Sequence, residues 1–364
     1  MSRREILLNP GPVTMTEGVR AALGRGDWCH REPEFAELTT GILRSLESVY
    51  PAAAPMRAVL LTGSGTAAVE AMLATLAPRH SKTLVAANGV YGERMADMLR
   101  AHGRQTVVVS SPWEEGIDLA GVEGRLQEDA DIRTVATVHH ETTTGRLNDV
   151  EGLAEICSRH GRRILLDGVS SFGAEAIDFD AWPIGAVAAT ANKCLHGSPG
   201  LSFVLVHEDV LEEVDWEVGS VYLDLRRYHE IQRRDGYSPY TQAVHVAFAL
   251  EAALREFREA GGQTARRARY REVAGRVRHA LERLDVRPLL PDADSSSVLR
   301  SYLLPEGFTY PDLHDRLKPR GFVIYAGQGR LRSDVFRVAH MGDIGDDDVD
   351  RLLAAFAEVL AVRA

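Results

Sequence analysis

Lys193 follows the run Ala186-Val187-Ala188-Ala189-Thr190-Ala191-Asn192, and Asp167 closes the earlier run Arg163-Ile164-Leu165-Leu166. An acid ending one buried strand and a lysine ending the next is the pairing that pyridoxal 5′-phosphate (PLP) chemistry requires. The lysine forms the Schiff base, and the carboxylate keeps the pyridine nitrogen protonated so that the ring can accept electrons. Each residue alone has a plainer account, a helix cap for Asp167 and a surface lysine for Lys193. The rest of the chain argues against both plain accounts holding together.

Leu60-Leu61-Thr62-Gly63-Ser64-Gly65-Thr66-Ala67-Ala68 reads as strand, glycine turn and helix start. Free N–H groups and the dipole at a helix N-terminus favour an anion, and Ser64 and Thr66 add hydroxyl donors, so the segment suits a phosphate. It also fits the G-x-G-x-x-A pattern of a dinucleotide fold. Two features weigh against that account: the long stretch before the motif, and Asn88 where the next strand should end in an acid. Tyr91, in Asn88-Gly89-Val90-Tyr91, offers a flat ring to stack on a cofactor, or else a core aromatic. His139-His140-Glu141-Thr142-Thr143-Thr144-Gly145 offers hydroxyls, or ordinary turn chemistry. Position decides between these accounts. Open α/β sheets gather ligands at the carboxyl ends of their strands, and Gly63–Thr66, Tyr91, Thr142–Thr144, Asp167 and Lys193 are all expected at that edge.

Seven short apolar runs supply the strands: Ala58–Thr62, Thr83–Ala87, Thr106–Ser110, Arg133–His139, Arg163–Asp167, Ala186–Ala191 and Leu201–His207. Helical patterns lie between most of them, at Gly65–Leu76, Tyr91–His102, Leu119–Gln127 and Val150–His160. Such alternation predicts an α/β fold with a mostly parallel sheet covered on both faces. Beyond about residue 208 the pattern changes. Thr241–Ala260 has a helical period stopped by Gly261-Gly262, and Thr264–Leu284 is an arginine-rich helix. Strand-like Val298–Leu304, helix-like Pro311–Arg320, strand-like Phe322–Tyr325 and Val335–His340, and a helix over Asp346–Val362 complete a small α+β unit. We expect a large PLP-binding domain over residues 15–262 and a small domain formed by residues 1–14 and 263–364.

Composition narrows the class. The 364 residues carry a net charge of −10, which disfavours nucleic acid as a partner. The densest basic run, Arg266-Arg267-Ala268-Arg269-Tyr270-Arg271, reads as a solvated helix face. Cys29, Cys157 and Cys194 are scattered and odd in number, as in a reduced cytoplasmic protein. Neither Cys157 with His160 nor His139-His140-Glu141 assembles a metal-ligand set, so no metal is expected. No apolar run reaches the roughly 18 residues that span a bilayer. Met1–Leu8 has no apolar core of signal-peptide length.

The chain resembles the class V, fold-type I PLP aminotransferases, and is most similar to their 2-aminoethylphosphonate–pyruvate branch. The resemblance runs through Leu8-Asn9-Pro10-Gly11-Pro12-Val13-Thr14, the His139–Gly145 stretch, Asp167-Gly168-Val169-Ser170-Ser171-Phe172-Gly173, Ala191-Asn192-Lys193-Cys194, Gly321-Phe322-Val323-Ile324-Tyr325 and Phe336-Arg337-Val338-Ala339-His340-Met341-Gly342. It implies Lys193 as the Schiff-base lysine and proton carrier, and Asp167 as partner of the ring nitrogen. Tyr91 would stack on the ring. Ser64, Gly65, Thr66 and Asn192 would surround the phosphate, and a hydroxyl from Thr142, Thr143 or Thr144 would reach the ring. Arg337 would bind the acidic group of the substrate. Thr241 matches a threonine that reaches the neighbouring subunit's PLP phosphate, which makes a homodimer with shared sites the functional unit. The branch often has a proline shortly after that threonine, where this chain has Gln242-Ala243, and Thr-Phe where this chain has Thr66-Ala67. Competing accounts are a serine- or alanine–glyoxylate-type or other small-amine transaminase, a class V lyase using a cysteine, and a scaffold that does no chemistry.

Overall fold

The computed structural model describes residues 4–51, 55–212 and 218–361. Seven strands form the central sheet: β1 (Met56–Thr62), β2 (Lys82–Ala87), β3 (Gln105–Ser110), β4 (Ile132–Val138), β5 (Arg163–Asp167), β6 (Ile184–Thr190) and β7 (Leu201–His207), in the order β1-β7-β6-β5-β4-β2-β3. Only β7 runs against its neighbours. The carboxyl ends of the other six therefore share one edge.

Burial of these strands follows from their composition. β6, Ile-Gly-Ala-Val-Ala-Ala-Thr, is buried at every position, as a strand covered on both faces must be. One face packs on a core containing Phe35, Leu60, Leu84, Leu166 and Phe203. The other packs on a second core containing Met72, Val85, Met95, Leu165 and Tyr228. Each such side chain removed from water contributes about 1.5–3 kcal/mol. The helices that supply these cores include α1 (Pro33–Glu47), α2 (Gly65–Leu76), α3 (Val90–Ala101), α4 (Leu119–Glu128), α5 (Val150–Arg159) and α6 (Leu225–Asp235).

Two long helices, α7 (Val244–Glu259) and α8 (Gly262–Glu282), lead into the C-terminal unit. Helix α7 starts later than its apolar period predicted, so Thr241 lies in the loop before it. Helix α8 starts two residues sooner than predicted, directly after Gly261, whose φ of 94 ends α7 in a left-handed turn. The unit carries a three-stranded antiparallel sheet of β8 (Leu299–Leu303), β9 (Tyr325–Ala326) and β10 (Val335–Ala339), with β10 central. It is covered by α9 (Tyr310–Leu317) and α10 (Asp346–Ala361). The strand expected over Phe322–Tyr325 is divided. Phe322–Val323 pairs in parallel with Ile6–Leu7, and Tyr325–Ala326 turns to pair with β10. Ile6 and Leu8 consequently join the C-terminal core with Phe322, Phe336 and Phe356. Met1–Arg3 and Val362 lie outside the described residues.

Candidate active site

The carboxyl edge of the sheet brings together the groups expected there. Asp167 ends β5, and Lys193 lies three residues beyond Thr190, the end of β6. The two strands pair in parallel, with Asp167 opposite Ala188. Asp167 is buried, and its Oδ1 accepts the Val169 N–H at 2.9 Å. Burial pushes its carboxyl up to about 6, against the Val169 bond and the charges of Lys193 and Arg94. The other carboxylate oxygen takes no bond among the described residues, so a cationic N–H would complete the pair.

Lys193 donates through Nζ to the Pro10 carbonyl. The approach is close: a Cβ on Gly11 would lie 2.8 Å from Lys193 Cε, and Gly11 takes φ 126. Glycine is needed there on both counts. Burial lowers the Lys193 amine to about 8. The charges of Cys194 and Asp167 oppose that shift, and Arg337 adds to it. An amine in that range is still mostly charged at physiological pH but keeps a neutral fraction that can act as a base.

The turn at Gly63–Thr66 opens a helix, as expected. Ser64 is the N-cap of α2, yet its side chain makes no capping bond, and the first turn contains no acid. The Gly65 and Thr66 N–H groups and the exposed Ser64 and Thr66 hydroxyls remain available. Asn192 accepts Thr190 Oγ1 at 2.8 Å through its own oxygen, which leaves its amide N–H groups to donate. Between that turn and Asp167 lies a crevice of about 280 Å³, lined by Thr66, Tyr91, Arg94, Asp167 and Val169 among others. Arg94 lies 4.8 Å from the Tyr91 ring centroid. A free carboxylate oxygen, an uncapped helix start and an amine whose pKa is lowered by burial fit a phosphorylated pyridine aldehyde. Larger hollows occur elsewhere, including one at the opposite edge beside Arg79, Arg104 and Arg163.

The threonine turn lies in a short hairpin of His140–Glu141 with Arg146–Leu147. Its hydroxyls differ from the expectation. Thr143 Oγ1 donates to Glu141 Oε1 at 2.6 Å and accepts the Val90 N–H at 3.2 Å, so it serves the turn. Thr142 and Thr144 keep hydroxyls with bonding capacity to offer, and Thr144 Oγ1 is buried without a partner among the described residues.

Glu141 was not singled out as a site residue, and the structure makes it a hub. Fully buried, it accepts the Thr143 N–H at 3.1 Å, the Tyr91 N–H at 3.2 Å and the Gly92 N–H at 3.4 Å. It thereby holds the start of α3, and with it Tyr91, against the hairpin. Burial pushes its carboxyl up to about 7, against those bonds, while the charge of Asp167 adds to the rise. Glu141→Gln keeps the shape but aims an amide at N–H donors. We expect a loss of roughly 1–3 kcal/mol at pH 5, narrowing toward pH 8, because the raised carboxyl makes the native chain lose stability as pH climbs from about 4.5 to about 7. A melting temperature equal to wild type would refute this role.

Arg337 enters from β10. Its Nε donates to the Ala326 carbonyl at 2.8 Å, and its Nη1 to the Thr142 carbonyl at 2.8 Å and to Gln328 Oε1 at 3.4 Å. Nη2 takes no bond among the described residues, and the Tyr325 ring lies 5.3 Å from the guanidinium. Thr241 makes no side-chain bond to these groups among the described residues. It is exposed, in a segment tied to the end of β1 by the Ala243 N–H on Thr62 Oγ1 at 3.3 Å.

Residues 35–328 match the family model described as aminotransferase class V, and the chain belongs to that family. Its architecture is that of the fold-type I PLP aminotransferases. A protein of Pseudomonas putida named 2-aminoethylphosphonate–pyruvate transaminase is 34% identical over 362 residues, 99% of this chain and 98% of its own. One of the same name from Pseudomonas aeruginosa is 34% identical over 360 residues, 98% of this chain and 96% of its own. Among solved structures, an aspartate aminotransferase of subgroup IV from Thermus thermophilus gives a TM-score of 0.90 at 27% identity, covering 99% of this chain and 100% of its own. An alanine–glyoxylate aminotransferase from Nostoc sp. gives 0.91 at 26%, covering 99% and 96%.

Proposed function

We propose that the protein is a PLP-dependent transaminase that moves the amino group of 2-aminoethylphosphonate, or a close aminophosphonate, to pyruvate, yielding phosphonoacetaldehyde and L-alanine. The observation that carries this reading is the near-full-length likeness to transaminases of that name. Bound PLP supplies the electron sink that lets a proton leave the amine-bearing carbon. Asp167 holds the ring nitrogen in its charged form. Lys193 Nζ would attach the cofactor, and its amine would carry the proton. Tyr91 provides the stacking face, Thr142 a ring contact with Thr143 shaping the turn, and Ser64, Gly65, Thr66 and Asn192 the phosphate contacts.

Arg337 offers its unbonded Nη2 to the phosphonate in one half-reaction and to the carboxylate of pyruvate in the other. Arg337→Ala removes that charge-assisted contact. It should raise KM for both substrates by about 10- to 100-fold while the fold persists. Unchanged KM values for both would remove Arg337 from substrate binding.

We further infer a homodimer in which the exposed Thr241 reaches the partner's phosphate, and a division into residues 15–262 and residues 1–14 with 263–364. A cytoplasmic location accords with Cys29, Cys157 and Cys194 being free thiols. No described helix is long and apolar enough to cross a membrane.

The direct test is a half-reaction spectrum. The protein is loaded with PLP, freed of excess and mixed with 2-aminoethylphosphonate alone. Conversion of the lysine-bound absorption to the amine form, reversed by pyruvate, is expected. Loading without conversion would overturn the donor assignment and turn attention to serine, alanine and taurine.

A further inference from the structure

Immediately after Lys193 the chain is bonded to the C-terminal unit at several points. The Cys194 carbonyl accepts Arg266 Nη1 at 2.7 Å. His196 Nε2 lies 2.5 Å from the Tyr270 hydroxyl and accepts the Gly342 N–H at 2.9 Å. The His196 N–H in turn donates to the Lys193 carbonyl at 2.9 Å. Arg266 and Tyr270 are one turn apart on α8, and Gly342 belongs to the same segment as Arg337.

His196 is buried and takes φ 62, in the left-handed region. Glycine occupies that region without steric cost, whereas histidine does so only occasionally. An imidazole held there must therefore be accounted for by its side chain. Because a backbone N–H can only donate, Nε2 carries the lone pair, and the ring is neutral with its proton on Nδ1. Burial lowers the His196 pKa well below its ordinary value, in keeping with that state. The Tyr270 hydroxyl donates to the same nitrogen.

The geometry points to His196 as a positioning residue that fixes the Lys193 loop against the segment carrying Arg337, so that the proton-carrying amine and the acid-binding guanidinium keep one spacing. This rests on the transaminase reading above. A substrate gripped by Arg337 places its amine-bearing carbon at a distance set by its own length. If the lysine loop drifts relative to Arg337, binding survives and proton transfer suffers. A misplacement of about 1 Å can cost up to about 100-fold in rate.

Two substitutions separate backbone shape from side-chain bonding. His196→Gly relieves the left-handed backbone but removes the acceptor. His196→Gln carries the same backbone burden as histidine and places its side-chain oxygen at about the reach of Nε2, where it can accept from Gly342. We expect His196→Gly to lower kcat about tenfold or more, with KM for 2-aminoethylphosphonate within about threefold of wild type, and His196→Gln to recover most of the loss. A glycine variant as active as wild type, equal losses in both variants, or a rise in KM without a fall in kcat would overturn the proposal.

Tyr270→Phe removes only a hydroxyl on α8 and leaves the lysine loop itself unaltered. In the full chain without substrate, amide hydrogen exchange over residues 191–198 should quicken in this variant. Exchange unchanged from wild type would overturn the proposal even where a histidine variant fails to fold. The exchange result does not depend on turnover. Failure to load PLP would instead count against the transaminase reading.

Discussion

Lys193→Ala takes up PLP without covalent attachment, and turnover falls by a factor on the order of 10⁴ or more. The reason lies in how few other groups can serve. Besides the Cys194 thiol, which burial pushes up to about 12 and so keeps protonated, and the His140 ring, which burial lowers to about 4 and so leaves a poor base, the described groups acting on Lys193 Nζ are the Pro10 carbonyl, the carboxylate of Asp167 and the guanidinium of Arg337. The carbonyl cannot take a proton. Asp167 would be committed to the ring nitrogen, and Arg337 stays charged. Burial has already brought the amine down to about 8, so the native chain offers a base with a usable neutral fraction that alanine cannot replace. The check is borohydride reduction followed by mass measurement, beside a steady-state rate. A cofactor mass still fixed to the variant after reduction, or turnover within tenfold of wild type, would defeat the assignment. A circular dichroism spectrum matching wild type establishes that the loss is chemical.

Asp167→Asn separates chemistry from stability, and the two are expected to move in opposite directions. The amide keeps the volume, and its oxygen can still accept the Val169 N–H. It cannot hold a charged ring nitrogen, and turnover should fall by a factor on the order of 10³. In the cofactor-free chain the same substitution should stabilise. The native carboxyl is pushed up to about 6 from its ordinary 3.8, chiefly by burial. The folded state therefore keeps a proton that the unfolded chain has released. Since stability falls with pH wherever the folded state binds more protons, the wild type loses stability as pH rises from about 4 to about 6. The asparagine variant escapes that loss, an advantage of at most about 3 kcal/mol above pH 6. Melting curves of the cofactor-free proteins at pH 4 and pH 7 test it. A difference between variant and wild type that is the same at both pH values would show that Asp167 titrates normally. The native carboxylate is thus retained at a cost to the empty fold, as sites that perform chemistry often require.

The central sheet was legible because its strands are covered on both faces. Runs such as those ending at Asp167 and Asn192 are apolar without alternation, and glycine turns punctuate them. The catalytic edge was legible because strand ends can be located from the sequence and ligands gather there. Helix α1 was not singled out: Phe35, Thr39, Ile42, Leu43 and Leu46 form its buried stripe, but a threonine and intervening charged residues dilute the period. The division of Phe322–Tyr325 was invisible because an apolar run says nothing about which partner each half will find. Glu141 was missed for a related reason. Its role depends on Tyr91 and Gly92, which lie on another element and meet it only once β2 and β4 are neighbours. Thr143 shows the converse: a residue type suited to a ligand was committed to a carboxylate two positions away.

The pairing of Ile6–Leu7 with Phe322–Val323 fixes an order of events during synthesis. The first residues of the chain leave the ribosome long before the strand they join exists. Until that strand appears, Ile6 and Leu8 have no core to enter, and Pro10 has no anchor from which to meet Lys193. The central sheet can assemble earlier, because its strands are drawn from the middle of the chain. Long-range contacts of this kind close late and slowly. A nascent chain halted before residue 322 would therefore present Lys193 uncapped, on a sheet whose turn at Gly63–Thr66 was already formed.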